Sequence, residues 1–437
     1  MYIEQESVLS SIQKEASSES FCQPLLLDHL PNYKKVLLLQ GPVGGFFQKL
    51  SDYWIDRGAE VIKVNFNPGD DYFYKNEAIQ YKESLYQWAR YLKELLISHE
   101  VDVVFLFGDC RAIHKPAKSL CESLSIDLWC FEEGYFRPNF YTLEKNGVNY
   151  YSSLTNTNPY SLSAQEIKTL LVSYPKRFTQ MCLAGFRYWL ANVMHTTQYP
   201  YYTHHRDLNF QKAVYWIRSF LRYLKYKVTE RPIRKLITRS GSGSGSGYNS
   251  LSGSTSNSSS GSRSYFLVPL QVHDDSQMTE HSDYQSVEKF IEEVFSSFAE
   301  FVKESSSLDS VIIKHHPMDQ GHVHYGSFIS SLSESLGISS QVIYVHDLAL
   351  PVIFPHCKGC ITVNSTFGLQ SLSYQVPVMT MGRCFYAKEG LTFQGNLKEF
   401  WRNPGTVNKD IFNNYKAHVI ATTQVNGCLY SKEYEIN

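Results

Sequence analysis

Two short segments in the C-terminal part of the chain do most to restrict its fold. They are Ile313–Pro317, with the sequence IKHHP, and Val363–Gly368, with the sequence VNSTFG. Each follows a β-branched apolar run that predicts a buried strand, and each carries polar groups where a helix should begin. This order is typical of parallel sheets that bind ligands at the carboxyl ends of their strands. Cations, hydroxyls and first-turn backbone N–H groups at those ends indicate a site for an anion.

The length of the chain favours two domains. Its 437 residues exceed one ordinary hydrophobic core, so we expect two α/β domains with additional helical material. The formal net charge of −1, with 19% charged residues, gives no strong overall field, and no nucleic-acid partner is expected. The N-terminus lacks a signal-peptide pattern, and no apolar stretch reaches about twenty residues. We therefore expect a cytoplasmic protein.

The first predicted domain spans residues 35–160 and follows an N-terminal extension at 1–34. It opens as a βαβ unit, because the amphipathic stretch 46–57 lies between two apolar runs. We expect an open parallel sheet with strands at 35–40, 59–66, 101–107 and 126–131. The glycines between the first strand and the first helix do not match the GxGxxG pattern, so a dinucleotide cofactor is not expected.

A second doubly wound domain is predicted at 265–385, followed by a helical tail at 386–437. Its β-branched runs alternate with amphipathic stretches in the same way. The strands are expected at 265–270, 310–313, 341–345, 359–363 and 376–381. The sequence thus predicts an α/β fold with two Rossmann-like domains.

Residues 161–239 between these domains are predicted to be helical, aromatic and basic. Its lysines and arginines include Arg177, Arg187, Arg206, Lys212, Arg218, Arg222, Lys225, Lys227, Arg231, Arg234 and Lys235. Such a segment can lie on an anionic bilayer, with aromatic rings at headgroup depth. It can equally be the solvated face of helices that pack on their own domain. The Gly/Ser repeat at 240–264 is predicted to be a flexible linker.

Three loops of the second predicted domain supply candidate ligand-binding residues. Gln271 follows the strand at 265–270 in a run too polar for a core. After the next strand come Lys314, His315, His316 and Pro317, where the proline presets a turn. The third set is Asn364, Ser365, Thr366 and Gly368. The competing interpretations are structural or metal-bound histidines for the second set and plain helix capping for the third.

Carboxylates at strand ends of the first predicted domain are the candidates for acid/base or nucleophilic chemistry. Glu132 and Glu133 are adjacent and therefore point to opposite sides of a strand, so one of them can act while the other fixes the turn. Either of the two is a candidate, and Asp109 and Glu144 are the alternatives. Metal chemistry is not expected, since the CxxC motif at 357–360 has no second pair of ligands.

Seven ordered motifs resemble the β-Kdo transferases of bacterial capsule biosynthesis, the KpsS-like and KpsC-like proteins, and most closely the KpsS-like type. Together they cover both predicted domains but not the basic helices or the Gly/Ser repeat. The motifs are Leu37–Phe47, Phe107–Arg111, Phe131–Asn149, Val268–Gln277, Ile312–Asp319, Val363–Leu372 and Gly390–Trp401.

The resemblance implies a two-domain glycosyltransferase of GT-B type, with two lobes facing a cleft. Its donor would be CMP-β-Kdo, used with retention of configuration and without a cofactor. Its acceptor would be an anionic phospholipid, phosphatidylglycerol or its lyso form, at the inner face of the cytoplasmic membrane. Other capsule biosynthesis or export proteins are the implied partners.

Roles for single residues follow from the same resemblance. The loops at His315–His316 and Ser365–Thr366 would stabilise the CMP phosphate. The Kdo carboxylate would compete for the same donors or bind to Gln271 and Lys314. Glu133 would be the nucleophile of a double displacement. Gly41, Gly44 and Arg137 are expected on the acceptor side. Two alternatives stay open: a transferase for another CMP-activated acidic sugar such as sialic acid, and a non-catalytic subunit of a capsule assembly or export complex.

Overall fold

The computed structural model describes residues 27–163, 177–204, 211–239, 264–319 and 322–430. These residues form two compact units. The first unit combines the described residues up to Lys212 with Cys384–Tyr386 and with those from Asp410 onward. The second unit contains Ala213–Arg383 and Ala387–Lys409. Each unit is built on one β-sheet.

The strands follow one another along the chain with helices between most of them. In chain order they are β1 (Lys35–Leu38), β2 (Glu60–Asn65), β3 (Ile79–Gln80), β4 (Val103–Phe107), β5 (Asp127–Glu133), β6 (Phe140–Lys145), β7 (Tyr265–Pro269), β8 (Ser310–Lys314), β9 (Val342–Val345), β10 (Cys357–Thr362), β11 (Val378–Thr380) and β12 (Gln424–Asn426).

The α-helices vary from single turns to about five turns. They are α1 (Phe46–Asp56), α2 (Pro68–Phe73), α3 (Leu85–Ser98), α4 (Lys115–Leu124), α5 (Arg177–Met194), α6 (Gln211–Thr229), α7 (Arg231–Arg239), α8 (Ser276–His281), α9 (Val287–Ser305), α10 (Gly326–Ser335), α11 (Leu350–Ile353), α12 (Phe367–Ser373), α13 (Leu397–Arg402) and α14 (Lys409–Thr423).

The sheet of the first unit has the strand order β12-β6-β5-β4-β1-β2-β3. The four predicted strands are confirmed as β1, β2, β4 and β5, which pair in parallel with one another. Three strands were not predicted: β3, which pairs in parallel with β2, and β6 and β12, which add an antiparallel edge. The link between β5 and β6 is only six residues long, too short for the crossover that a parallel partner needs, so β6 must run antiparallel.

The first sheet is buried on both faces, because successive side chains of a strand point to opposite faces and both faces are covered. Val103 and Phe105 of β4 belong to one core cluster, whereas Val104 and Leu106 belong to another. Helix α1 covers one face with Phe46, Leu50 and Trp54, and α3 covers the other with Trp88 and Leu92. A strand buried on both sides needs a continuous apolar run, which is the pattern that made β4 predictable.

The second unit contains a five-stranded parallel sheet with the order β11-β10-β7-β8-β9. All five of its strands were predicted. Helix α9 buries one apolar side, including Phe290, Val294 and Phe298, against this sheet. The α9 N-terminus is fixed by Ser286, whose side chain accepts a hydrogen bond from the backbone N–H of Lys289. The carboxyl ends of these parallel strands therefore lie along one edge.

Two predicted regions are divided between the units. In the helical region at 161–239, α5 packs on α2 in the first unit, whereas the residues from Ala213 onward belong to the second. In the tail predicted at 386–437, α13 stays with the second unit, but β12 pairs with β6 in the first. The tail changes units at α14, which buries Phe412, Val419 and Ile420 and belongs to the first unit from Asp410 onward.

Parts of five predicted regions fall outside the described residues. They are 1–26 of the N-terminal extension, 164–176 and 205–210 of the helical region, 240–263 of the Gly/Ser linker, 320–321 of the second predicted domain and 431–437 of the predicted tail. Within the ranges that are described, no helix has both the length and the apolar character needed to cross a membrane.

Candidate active site

Two of the predicted residues, at the carboxyl end of β8, are buried. Lys314 and His315 are both buried, and His315 Nδ1 lies 2.7 Å from the hydroxyl of Tyr344. Burial, helped by the nearby His346, lowers the pKa of His315 to about 3, so this imidazole is neutral at physiological pH. Its Nε2 is buried without a hydrogen-bond partner in the described structure. His315 therefore places a neutral polar atom without a protein partner just beneath the end of β8.

His316 has a different environment from its neighbour, as the alternation of side chains predicts. It is partly exposed, and its Nδ1 accepts a hydrogen bond of 3.2 Å from the backbone N–H of Met318. In the neutral imidazole the proton then lies on Nε2. Pro317 begins a short 3-10 turn. The two histidines thus present a buried neutral ring and a half-exposed ring from one loop.

Gln271 and Asn364 form a buried amide pair that joins the loops after β7 and β10. Gln271 Nε2 donates to Asn364 Oδ1 over 3.0 Å, and the backbone N–H of Asn364 donates to Gln271 Oε1 over 3.3 Å. Asn364 Nδ2 also donates to the backbone carbonyl of Gln277. Because these amide groups already have protein partners, the pair fixes the two loops relative to each other.

The other predicted residues of the third loop lie at the start of α12. Ser365 Oγ accepts a bond of 3.2 Å from the backbone N–H of Phe367, and the Ser365 carbonyl accepts from Gly368 N–H over 2.9 Å. Thr366 is partly exposed and makes no side-chain capping bond. The capping that was the competing interpretation is therefore present at Ser365, while the Thr366 hydroxyl is not used for it.

Sequence reasoning missed a pair formed by Asp319 and His273. The Asp319 side chain is 0% exposed, and its Oδ1 lies 2.6 Å from His273 Nδ1. Its other oxygen accepts from the backbone N–H of His273 over 3.2 Å. Burial raises the pKa of Asp319, and His273 opposes that rise. Two bonds from one carboxylate hold the imidazole of His273, whose side chain is 37% exposed, in a fixed orientation.

A second missed group lies directly after β9. Glu230, between α6 and α7, accepts bonds of 2.8 Å from both the backbone N–H and Nδ1 of His346, and one of 2.7 Å from Asp347 N–H. Arg234 donates to the Asp347 carbonyl over 2.9 Å. Burial lowers the pKa of Lys314, and Asp347 and Glu230 oppose that effect. The only signal in the sequence was a His-Asp pair after a strand.

In the first unit, Glu132 and Glu133 lie at the end of β5 with different partners. Glu133 Oε1 accepts a bond of 2.6 Å from the hydroxyl of Tyr430. Glu132 Oε1 accepts from the Glu133 backbone N–H over 2.9 Å. Burial is the main cause that raises the pKa of Glu132 to about 7. At neutral pH Glu132 can therefore either hold or release a proton, as an acid/base group must.

The two alternative carboxylates are placed in local structure. Glu144 is buried and accepts hydrogen bonds from the hydroxyls of Tyr135, over 2.7 Å, and Ser152; burial raises its pKa to about 7. Asp109 accepts a bond of 3.0 Å from the backbone N–H of Val148. Both therefore stabilise the loops around β6 in this structure, and their proposed chemical roles stay predictions.

The glycines predicted on the acceptor side border a small pocket. A Cβ at Gly41 would lie 2.6 Å from the ring of Phe47, and Gly44 has a φ of +118°, so both positions favour glycine. The pocket is also lined by Lys63, Asp70 and Tyr188. Arg137 does not line this pocket; its Nε donates to the carbonyl of Gly134 over 3.3 Å.

Polar residues that the sequence analysis did not single out surround the same pocket. Burial lowers the pKa of Lys63 to about 8, and Asp70 opposes the effect. Tyr188 donates to Asp70 Oδ1 over 2.9 Å. Gln40 donates to Asp70 Oδ2 over 3.1 Å and accepts from Arg111 over 3.0 Å. Lys63 lies inside an apolar strand pattern, so nothing in the sequence indicated a buried charge there.

Comparison with known proteins identifies the family. A family model described as capsule polysaccharide biosynthesis protein matches residues 102–430. The chain belongs to this family. It is 36% identical over 427 residues to the capsule polysaccharide modification protein LipB of Neisseria meningitidis serogroup A, covering 94% of this chain and 96% of LipB. It is 34% identical over 400 residues to the capsule polysaccharide export protein KpsS of Escherichia coli, covering 91% and 97%.

Among solved structures, the chain resembles KpsC, beta Kdo 2,7 transferase, of Thermosulfurimonas dismutans. The TM-score is 0.40 with 11% identity, covering 87% of this chain and 89% of that chain. The sequence-based recognition of a KpsS-like capsule protein is confirmed by the two relatives and the family model. In this capsule polysaccharide biosynthesis protein, the matched range contains Glu133 and the loops after β7, β8 and β10, whereas Gly41 and Gly44 precede it.

No group of histidine, cysteine, aspartate or glutamate side chains within the described ranges of this capsule protein is arranged to hold a metal ion. Cys357 and Cys360 of the CxxC motif are free thiols in β10. Burial raises the pKa of Cys360 to about 12, so this thiol stays protonated and unreactive at neutral pH.

Proposed function

We propose that this capsule polysaccharide biosynthesis protein is a retaining glycosyltransferase that moves Kdo from CMP-β-Kdo to phosphatidylglycerol or its lyso form. The observation that carries the proposal is the group of donors at the carboxyl ends of β8 and β10. A CMP-sugar acid brings a phosphate and a carboxylate, and both anions need several donors in one place. The two relatives are named as capsule polysaccharide modification and export proteins, which agrees with a sugar substrate.

Donor binding is assigned to the second unit. His316 can donate from Nε2, because its Nδ1 already accepts from Met318. His315 stays neutral and can donate from Nε2 if its Nδ1 accepts the Tyr344 proton. Donors of this kind stabilise negative charge that develops on a departing phosphate. Thr366 and Lys314 complete the proposed set, and the amide pair of Gln271 and Asn364 positions the loops.

The nucleophile is assigned to Glu133 in the first unit. A Glu133 carboxylate oxygen would form a bond to the anomeric carbon while the bond from that carbon to the CMP phosphate oxygen breaks, and CMP would leave with the electron pair. The acceptor hydroxyl would then attack the same carbon, displace Glu133 and give up its proton. Two inversions retain the configuration. Glu132, with its pKa near neutrality, is suited to receive that proton.

The proposal extends to the place and partners of the reaction. A phospholipid acceptor lies in a membrane, so the protein would work as a peripheral protein at the inner face of the cytoplasmic membrane, together with other capsule biosynthesis or export proteins. The reaction requires no cofactor, because bond breaking is assisted by the phosphate leaving group and by protein donors alone.

The test is to incubate the purified protein with CMP-Kdo, generated in place, and a fluorescent lysophosphatidylglycerol, and to weigh the lipid by mass spectrometry. A gain of one Kdo unit supports donor, acceptor and reaction together. If CMP binds saturably but CMP-sialic acid is the donor consumed, the sugar assignment is wrong. If no CMP-sugar is consumed with any lipid, a non-catalytic role in capsule assembly or export replaces the proposal.

A further inference from the structure

Helix α6 carries a row of exposed apolar side chains that its own unit does not use. Val214, Ile217, Leu221, Leu224 and Val228 are 45–62% exposed. Their spacing of three or four residues puts them on one side of the helix. Phe220, beside this row, is similarly exposed. Single exposed apolar residues are ordinary, but a continuous row on one helix marks a surface that binds something apolar.

The opposite side of α6 is already packed. The buried ring of Tyr226 stacks on His346 with 3.6 Å between ring centroids. One end of the helix is held by Tyr215, whose ring lies 4.4 Å from that of His322. At its other end Glu230 bonds to the residues after β9. These contacts hold the helix on the second unit, and none of them involves the apolar row.

The charges on α6 identify the partner. The helix contains Lys212, Arg218, Arg222, Lys225 and Lys227 and no aspartate or glutamate. Arg218, Arg222 and Lys225 lie on one flank of the apolar row, and Lys227 lies on the other flank, as helical geometry requires. A helix with an apolar side and basic flanks lies in the plane of an anionic membrane surface, with its apolar side in the acyl region and its cations near phosphates.

We infer that the apolar row of α6 inserts into the surface of an anionic phospholipid bilayer and holds the second unit there. The inference rests on the proposed membrane acceptor only for the choice of lipid class, since the row and the charges are properties of the helix. The first unit carries a similar feature. Leu183, Phe186, Leu190 and Met194 of α5 are 38–67% exposed, and α5 also lacks acidic residues.

The test compares full-length variants by flotation with vesicles of phosphatidylcholine alone or mixed with phosphatidylglycerol, in the absence of any sugar donor. The row variant combines Ile217→Gln, Leu221→Gln and Leu224→Gln, which leave the net charge unchanged. The control combines Ile97→Gln and Leu308→Gln, which are equally exposed apolar positions elsewhere. A charge variant combines Lys225→Gln and Lys227→Gln. Circular dichroism and thermal melting establish that each variant is folded.

We expect the row variant to lose about tenfold or more of its affinity for the mixed vesicles, because each buried apolar side chain adds to interfacial binding. The control should bind as the parent protein does. The charge variant should bind the mixed vesicles more weakly and depend less on salt, because screening acts on exposed charges.

Three outcomes would overturn the inference. The first is vesicle binding by the folded row variant that is as tight as that of the parent protein. The second is equal binding of the parent protein to both vesicle types. The third is a row variant that changes only in oligomeric state, which would show that this face binds a second copy of the chain. Transfer to a water-soluble, short-chain lyso acceptor is measured separately. The row variant should retain that transfer, so failure of docking and failure of the proposed reaction give different results.

Discussion

The adjacent residues of two short motifs, one in each unit, have different environments. In the KHHP motif, His315 is buried and neutral while His316 is partly exposed. In the EEG motif, burial gives Glu132 a pKa of about 7, while Glu133 is held by the hydroxyl of Tyr430. Adjacent residues in extended backbone point to opposite sides, so the two members of each pair differ in their burial and in their hydrogen-bond partners.

The roles of Glu133 and His316 predict different losses on substitution. Glu133→Gln should reduce transfer by roughly a thousandfold or more, because an amide is a poor nucleophile, and should leave CMP binding unchanged. His316→Ala should weaken CMP binding by about tenfold, the effect of one lost hydrogen bond to a charged group. Calorimetry with CMP and the lipid transfer assay measure the two effects. Glu122→Gln, an exposed position in α4, serves as the control; full activity of Glu133→Gln would move the nucleophile to another carboxylate.

The raised pKa of Glu132 makes stability depend on pH. The folded protein binds the Glu132 proton up to about pH 7, whereas the ordinary pKa is 4.5, so the folded state is disfavoured progressively as pH rises between these values. Glu132→Gln removes that loss and keeps an oxygen for the Glu133 N–H. The variant should be more stable than the parent at pH 8 by about 1–3 kcal/mol, and the difference should shrink at pH 5. Urea unfolding at both pH values measures it; an equal difference at both would contradict the assignment.

At the scale of elements, the strands could be predicted from the sequence, but the side-chain pairs between distant segments could not. The apolar runs of β1, β4 and β8 were identified because they are buried on both faces and therefore uniformly apolar. The polar loops after β7, β8 and β10 were located for the same reason, since each follows such a run. The Asp319 to His273 pair and the Glu230 to His346 pair were missed, because their members are 46 and 116 residues apart. A single sequence carries no signal for pairing at that distance.

The turn between β5 and β6 is an element whose geometry depends on one glycine. A Cβ at Gly134 would lie 2.1 Å from the backbone oxygen of Phe140, and backbone cannot give way as a flexible side chain can. Gly134→Ala should therefore destabilise the first unit by about 2–4 kcal/mol. Gly185→Ala in α5 is the matched control, because nothing lies within 4 Å of its Cβ position, and it should be neutral or slightly stabilising. Urea unfolding measures both variants, and similar transitions would contradict the expected clash.

At the scale of the whole molecule, the first unit is made of segments from both ends of the sequence. Strands β1 to β6 come first in the sequence, the second unit follows, and β12 after α14 belongs to the first sheet again. The returning segment makes specific bonds: Gln424 Oε1 accepts from Tyr135 N–H over 2.9 Å, and its Nε2 donates to Thr142 over 2.9 Å. Tyr430 then reaches Glu133. The sequence analysis placed this segment in a helical tail because three residues of strand are too few to show a period.

Because the C-terminal segment belongs to the first unit, we predict that a short C-terminal truncation affects the first unit and not the second. Ending the chain after Thr423 removes β12 and Tyr430, so β6 loses its outer partner and the bonds from Gln424. Ending it after Tyr430 removes only residues 431–437 and is the control. In hydrogen exchange, the amides of β6 that donate to β12 should exchange at least about tenfold faster in the shorter chain, since exchange follows local opening. The amides of β8 should keep their protection, because every neighbour of β8 lies in the second unit.

The shorter chain should also lose transfer while it still binds CMP, because Glu133 has lost Tyr430 but the donor loops are intact. Equal loss of protection in β6 and β8 would show that the two units unfold together, and unchanged exchange in β6 would remove β12 from the account of how Glu133 is held.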